Sequence, residues 1–141
     1  MSDNQRFAIA IHLLLVLAHT RAMEPKAARS SRELSQSIEA NPVVVRRVMA
    51  MLAEAGIIKT RTGMFGGAWL AKPAWEISTA AVYKAVEPHS TLKIRKGCPE
   101  HCPVARAAPG LIAGLAARAD AAVAGALEGV TIADLEKSIV A

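Results

Sequence analysis

The residues best suited to chemistry in this 141-residue chain are two adjacent arginines, Arg46 and Arg47. Asn41 is a good helix N-cap and Pro42 suits the first helical position, so both arginines fall in the first turns of a predicted helix. When such a helix enters the major groove of DNA, long basic side chains there reach bases or phosphates. Val43 could contact a thymine methyl group, although valine offers no hydrogen bond to a base. The alternative interpretation is that both arginines belong to an ordinary solvated face.

A short β-hairpin is predicted directly after this helix. Gly56 suits the position just past the helix end, and residues 57–58 and 69–70 have the composition of two strands. Glycines supply the positive φ values of the connecting tip: Gly63, Gly66 and Gly67. A helix followed by a hairpin is the order found in a winged helix-turn-helix. Ordinary surface charge is the alternative for the charged residues. We expect further DNA contacts from the hairpin, from the start of the helix before Arg46 and from the first residue of the helix that carries Arg46: Arg29, Ser31, Arg32, Pro42, Lys59, Arg61, Gly66, Gly67 and Lys72.

The two cysteines, Cys98 and Cys102, lie four positions apart in a predicted loop with basic neighbours. Positive charge stabilises a thiolate, so the pair suits redox or electrophile sensing through an intramolecular disulfide or bonds to a second subunit. Alternatively, Cys98, His101 and Cys102 could hold zinc or part of an iron–sulfur cluster, with His89 as a further candidate. In a third interpretation one or both cysteines are buried and inert. The sequence contains no glycine-rich phosphate loop and no paired carboxylates suited to acid–base catalysis, so we do not expect an enzyme.

The elements that must position these residues are mostly helices. Besides the helix of Arg46, periodicity predicts helices over about residues 5–21, 31–38, 78–86, 104–127 and 131–140. Ser30 and Glu33 predict a capping box at the start of the second helix. Pro109 and Gly110 predict that the long helix is kinked in its first turns or starts later. The fold class is therefore mainly α with a small β-hairpin wing.

The net charge of +5 is concentrated in the first half of the chain. Residues 1–75 contain ten Lys or Arg against five Asp or Glu, whereas residues 76–141 contain seven of each. Such a distribution is typical of a segment that contacts phosphates. The longest apolar run, residues 7–18, spans about twelve residues, fewer than the roughly 20 that cross a membrane. With no secretory signal and only two cysteines, we expect a cytoplasmic protein without membrane insertion.

Several motifs occur in a characteristic order along the chain. They are Arg6-Phe7-Ala8, Ser31-x-x-Leu34, Asn41-Pro42-x-x-Val45-Arg46-Arg47-Val48, Gly63-x-x-Gly66-Gly67-x-x-Leu70-Ala71, Ala81-Val82-Tyr83 and Thr131-Ile132-Ala133-Asp134-Leu135. Through them the chain resembles, over nearly its whole length, the Rrf-two (Rrf2) family of bacterial winged-helix transcription regulators, which is the family of IscR and NsrR.

The resemblance implies a sequence-specific repressor that binds a palindromic operator in double-stranded DNA as a homodimer. It also implies that the long helix packs against the same helix of a partner, a role that fits its apolar stripe between Leu111 and Ala126. The expected organisation is then a winged helix-turn-helix DNA-binding domain, a sensor loop with the two cysteines, and a dimerisation helix with a C-terminal helix: residues 1–86, 87–103 and 104–141.

The cysteine pattern departs from that of cluster-binding members, which usually have three cysteines between the winged domain and the long helix. This chain has two, and Cys102-Pro103-Val104 resembles the cluster-lacking branch of the family. We therefore expect no cofactor. Two alternatives stay open, namely an iron–sulfur or zinc-sensing regulator and a winged-helix module that contacts proteins rather than DNA.

Overall fold

The structure is a computed structural model that describes residues 5–93 and 101–139. Its elements, in chain order, are α1 (Gln5–His19), a 3₁₀ turn (Pro25–Ala27), α2 (Ser31–Ile38), α3 (Pro42–Glu54), β1 (Ile58–Arg61), β2 (Gly67–Leu70), a second 3₁₀ turn (Ala74–Glu76), α4 (Thr79–Val86), α5 (Pro103–Glu128) and α6 (Ile132–Glu136). The helices and the single antiparallel hairpin confirm the predicted fold class. Cys98 lies outside the described residues.

One hydrophobic core joins four helices, α1 to α4, to the hairpin and to α6. Its side chains with almost no exposed surface come from α1 to α4, the hairpin and α6: Leu13, Leu14, Leu17, Leu34, Val45, Val48, Leu52, Ile58, Leu70, Val82, Val86 and Ile132. Burying a side chain of this size stabilises a fold by about 1.5–3 kcal/mol. Because α3 and the hairpin share this core, their relative position is fixed.

The start of α2 carries half of the predicted capping box. The Ser30 hydroxyl accepts a hydrogen bond from the amide of Glu33 at 3.1 Å. The Glu33 carboxylate does not complete the box and instead lies 3.9 Å from the guanidinium of Arg29. The capping box prediction is therefore wrong in its second half, because a neighbouring cation attracts the carboxylate.

The hairpin is longer than its predicted strands. Ile58 pairs with Leu70 and Arg61 with Gly67, so four residue pairs form the ladder. The chain before α2 adds a further rung, since the Arg29 amide donates to the Ala68 carbonyl at 2.9 Å and the Ala68 amide donates to the Arg29 carbonyl at 2.8 Å. The wing is thus attached to the segment that leads into α2.

The long helix α5 runs without interruption from Pro103 to Glu128 and includes Pro109. The alternative of a later start is wrong, because one missing amide removes one hydrogen bond while the neighbouring turns keep theirs. Among the described residues α5 is the one helix that is long and apolar enough to cross a membrane by length and composition. Of its side chains only Ala116 is buried, while Leu111 and Leu115 are 69% and 58% exposed.

The segment after α5 returns to the winged domain. The Thr79 hydroxyl donates to the Leu127 carbonyl at 2.9 Å, and the Thr79 amide donates to the Val130 carbonyl at 2.8 Å. Thr131 then caps α6 in a full capping box with Asp134. The helix ends at Glu136, earlier than predicted, and Ile132 places it in the common core.

Candidate nucleic-acid interface

The first turn of α3 is capped and exposed to solvent. The Asn41 side-chain oxygen accepts a hydrogen bond from the Val43 amide at 2.8 Å, and Pro42 occupies the first helical turn. Val43 is 54% exposed. The cap satisfies an amide that would otherwise lack a partner, so this end of the helix is ordered without being covered.

The two sides of α3 differ as the sequence predicts. Val45 and Val48 are fully buried, whereas Arg46 and Arg47 are exposed. Within the described part of the chain, no carboxylate lies at ion-pair distance from either guanidinium. Both charges are therefore available to an anionic partner.

An open groove of about 410 Å³ lies between the start of α2, the exposed side of α3 and the hairpin. It brings together five residues predicted as DNA contacts, namely Ser31, Arg46, Arg61, Gly66 and Gly67. The remaining lining residues are Ser30, Met49, Ala50, Thr60, Thr62 and Gly63. A cationic groove beside an exposed helix is suited to a phosphate backbone, because the charges lie along a surface rather than inside a closed cavity.

Gly66 and Gly67 are required by close approach of the backbone. A Cβ at Gly67 would lie 2.4 Å from the Arg29 carbonyl oxygen, and a Cβ at Gly66 would lie 2.1 Å from the Arg61 carbonyl oxygen. Gly63 and Gly67 have the predicted positive φ, at 100° and 154°. The prediction of positive φ is wrong for Gly66, whose constraint is space rather than backbone conformation.

Two of the predicted arginines have partners within the protein. The Arg61 guanidinium donates to the Phe65 carbonyl at 3.0 Å, so it also holds the hairpin tip. Arg29 is half-buried beside Glu33, and its Nε atom is buried without a partner among the described residues. The backbone of Arg29 positions the wing, while its charge is partly offset by Glu33.

The other predicted contacts, Arg47 among them, do not line the groove. Arg32 is exposed on α2, Lys59 is exposed on β1, and Pro42 and Val43 are exposed at the start of α3. Lys72 is half-buried after β2. These residues lie on α2, on α3, on β1 and in the segment after β2.

Sequence reasoning did not single out two residues of the hairpin tip, Met64 and Phe65. They are 91% and 81% exposed, the largest values among the exposed large hydrophobic side chains of the described residues. The available signal was the presence of two large apolar residues between glycines in a predicted turn. Turn residues are usually small or polar, so this composition is unusual.

The predicted sensor residues are described only in part. Cys102 is half-buried and is the N-cap residue of α5, next to the exposed His101. In residues 5–93 and 101–139, no three His, Cys, Asp or Glu side chains come together to hold a metal ion. Because Cys98 lies outside those residues, its pairing with Cys102 and the alternative metal set with His101 stay predictions.

The loop that leads toward the cysteines is tied to α5 by Asp120. Its carboxylate accepts hydrogen bonds from the Ser90 hydroxyl at 2.7 Å and from the Thr91 amide at 2.8 Å. The Ser90 bond, followed by that of Thr91, holds the pKa of Asp120 below its usual value of 3.8. The start of the predicted sensor loop is therefore connected to the long helix.

Comparisons with known proteins agree with this geometry. The Rrf2 family model, described as an iron-dependent transcriptional regulator, matches residues 3–138. YwnA of Bacillus subtilis (strain 168), which is named as an HTH-type transcriptional regulator, is 36% identical over 104 residues, 73% of this chain and 73% of YwnA. A crystal structure described as a transcriptional regulator from Lactobacillus plantarum has 25% identity and a TM-score of 0.75, covering 94% of this chain and 87% of that chain. Another, described as a DNA-binding protein, has 30% identity and a TM-score of 0.69, covering 92% and 97%.

Proposed function

The chain belongs to the Rrf2 family of winged-helix, DNA-binding transcription regulators, and from this premise we propose that it is a repressor that binds a palindromic operator as a homodimer. The main support for DNA binding is the groove between α2, α3 and the wing, because it places Ser31, Arg46 and Arg61 on one surface. A repressor acts by occupying DNA that the transcription machinery needs. Its site of action is the chromosome in the cytoplasm, and it requires no enzymatic step.

Arg46 and Arg47 have the central role in DNA binding. They lie in the first turns of α3 and are exposed, so their side chains reach base edges or phosphates when α3 enters the major groove. Val43 offers only apolar contact, such as to a thymine methyl group. Sequence specificity therefore depends on the arginines, the wing and the spacing of two half-sites.

The dimer in this proposal forms along α5. Val104, Leu111 and Leu115 are 74%, 69% and 58% exposed. Their spacing of seven and four residues places them on one side of the helix, which is not the side of the buried Ala116. An apolar seam of this kind is stabilised by covering it, and the same helix of a second copy supplies a matching seam. Two winged domains would then face two half-sites related by two-fold symmetry.

The regulatory signal in this proposal is oxidation of Cys98 and Cys102. Each thiol loses one electron and one proton to an oxidant such as diamide, one S–S bond forms, and diamide is reduced to its hydrazine. Cys102 is the N-cap residue of α5, so a bond at its sulfur acts at the start of the proposed dimerisation helix. We expect diamide to weaken operator binding by the wild type. Cys102→Ser and Cys98→Ser should each abolish that response, and an unchanged wild-type affinity after diamide would contradict the sensor.

Iron is suggested by the description of the family model, but the donor set of this chain fits a cluster poorly. A [2Fe–2S] or [4Fe–4S] cluster usually takes four cysteine ligands, whereas the chain has two cysteines. The described residues contain no group of three metal donors. Anaerobic purification with an absorption spectrum and metal analysis tests the alternative: bound iron or zinc that is lost in Cys102→Ser would favour metal sensing over disulfide formation.

In vitro selection from a library of random duplexes tests the DNA-binding proposal. We expect the wild type to enrich an inverted repeat and to bind it as two chains per duplex, as measured by analytical ultracentrifugation. If no duplex is enriched even at low salt, a role in protein contacts becomes the better explanation. If an asymmetric site is bound by one chain, the homodimer and the palindrome are wrong while DNA binding stands.

A further inference from the structure

The tip of the wing, residues 62–66, presents two large apolar side chains to solvent. We propose that Met64 and Phe65 form an apolar wedge that enters the minor groove of the bound DNA and contributes to the choice of operator. The proposal rests on the DNA-binding function proposed above and extends it to residues that no charge pattern indicates.

Exposure of these side chains is the first observation. Met64 is 91% exposed and Phe65 is 81% exposed, although full burial of either would remove a large apolar surface from water. No other element of the described chain covers them. Two adjacent large hydrophobic residues at a solvent-facing turn indicate a surface that is covered by a partner.

The conformation of the tip is the second observation, because several contacts fix it. The Gly66 amide donates to the Gly63 carbonyl at 3.0 Å, and the Arg61 guanidinium donates to the Phe65 carbonyl at 3.0 Å. Gly66 also lies so close to the Arg61 carbonyl that no Cβ would fit. The backbone that carries the apolar pair is therefore preorganised, so the ordering needed on binding is confined to the two side chains.

The position of the tip identifies DNA as the partner. Phe65 is bonded to Arg61 and adjoins Gly66, and both line the cationic groove with Arg46. Lys59 is exposed on the same hairpin. Cations beside an apolar pair suit a minor groove, where phosphates flank the base edges and apolar side chains insert between base steps. With α3 in the major groove, an element beside it reaches the adjacent minor groove.

The test compares the wild type with the double variant Met64→Ser and Phe65→Ser on a duplex enriched by the wild type. We expect about a tenfold loss of affinity, which corresponds to about 1.4 kcal/mol. The dependence of affinity on salt should keep its slope, because no cation is removed. The matched variant with leucine at both positions should retain most of the affinity. Since the side chains are exposed, the unfolding midpoint should stay unchanged and serve as the folding control.

A base analogue locates the contact in the minor groove. Inosine in place of guanine removes the N2 amino group from the minor groove and leaves the major-groove pattern intact. At the base step that faces the wing, we expect the wild type to bind the inosine duplex more tightly than the guanine duplex. The serine variant should bind both equally.

Three outcomes would overturn the wedge. In the first, the serine variant keeps the wild-type affinity, and in the second it keeps the preference for inosine. In the third, it loses affinity and its sedimentation mass also changes, which would make the tip a contact between copies of the chain. In each case wild-type binding that depends on Arg46 would leave the proposed function intact. Failure of the wild type to enrich any duplex would instead reject the proposed function itself.

Discussion

Substitution of Gly67 by alanine tests how the wing is seated on the chain that leads into α2. Gly67 has a φ of 154°, and an added Cβ would lie 2.4 Å from the carbonyl oxygen of Arg29. The same carbonyl accepts the Ala68 amide at 2.8 Å, and the Arg29 amide donates to Ala68 at 2.9 Å. Relief of the clash requires the wing to move away from Arg29, which breaks or stretches both hydrogen bonds.

The expected cost combines two effects. Loss of two backbone hydrogen bonds costs about 0.5–1.5 kcal/mol each. Holding alanine in a sparsely populated backbone region costs about 1–3 kcal/mol. Because the wing can relax partly, we expect Gly67→Ala to lower the free energy of unfolding by about 2–4 kcal/mol. Displacement of the wing should also weaken operator binding at temperatures where the variant is folded.

Gly63→Ala is the matched control on the same wing. Gly63 also has a positive φ, of 100°, but no atom lies within 4 Å of its added Cβ. Only the backbone cost remains, about 1–2 kcal/mol. Urea unfolding at one fixed protein concentration measures both variants, since the stability of the proposed dimer would depend on concentration. If Gly67→Ala lowers the free energy of unfolding no more than Gly63→Ala does, the close approach of the wing to Arg29 is refuted.

Three further predictions concern the cap of α3, the proposed dimer and the proposed sensor loop. Asn41→Ala should destabilise the protein by about 1 kcal/mol because α3 loses its cap, and Asn41→Asp should restore stability in the same urea assay. Leu115→Lys should shift the sedimentation mass from dimer to monomer, whereas Ala117→Lys, on another side of α5, should not; equal masses would reject the seam. The hydrogen bond from Ser90 holds the pKa of Asp120 below 3.8, so its carboxylate stabilises the fold above that pH and the contribution is lost as pH falls further. The unfolding temperature of Asp120→Asn should therefore fall less than that of the wild type between about pH 5 and about pH 2. Parallel plots of unfolding temperature against pH for the two proteins would contradict this.

Local chemistry made much of α3 predictable. Asn41 and Pro42 fix its start through a cap and a restricted φ, and the helical period separates Val45 from Arg46 and Arg47. These relations act over a few residues, so they are readable without knowing the rest of the fold. The same is true of Gly56, whose φ of 75° ends the helix region as predicted.

Contacts between distant segments were not predictable from pattern alone. Arg29 and Ala68 pair across the fold, and this pairing explains why Gly67 cannot bear a side chain. Arg61 donates to Phe65, a use of an arginine that its charge does not reveal. The continuity of α5 through Pro109 likewise depends on the bonds of the surrounding turns rather than on the proline itself.

Equilibrium binding of an enriched duplex by Arg46→Ala and Arg47→Ala, measured over a range of salt concentrations, tests the central claim most directly. Lys84→Ala is the control, because Lys84 is an exposed cation on α4 outside the groove. We expect each arginine variant to lose at least about tenfold in affinity, or about 1.4 kcal/mol. An arginine that contacts phosphate should also reduce the slope of log affinity against log salt by about one. Lys84→Ala should match the wild type in both affinity and slope. Wild-type affinity in the Arg46→Ala and Arg47→Ala double variant would show that α3 does not bind the DNA.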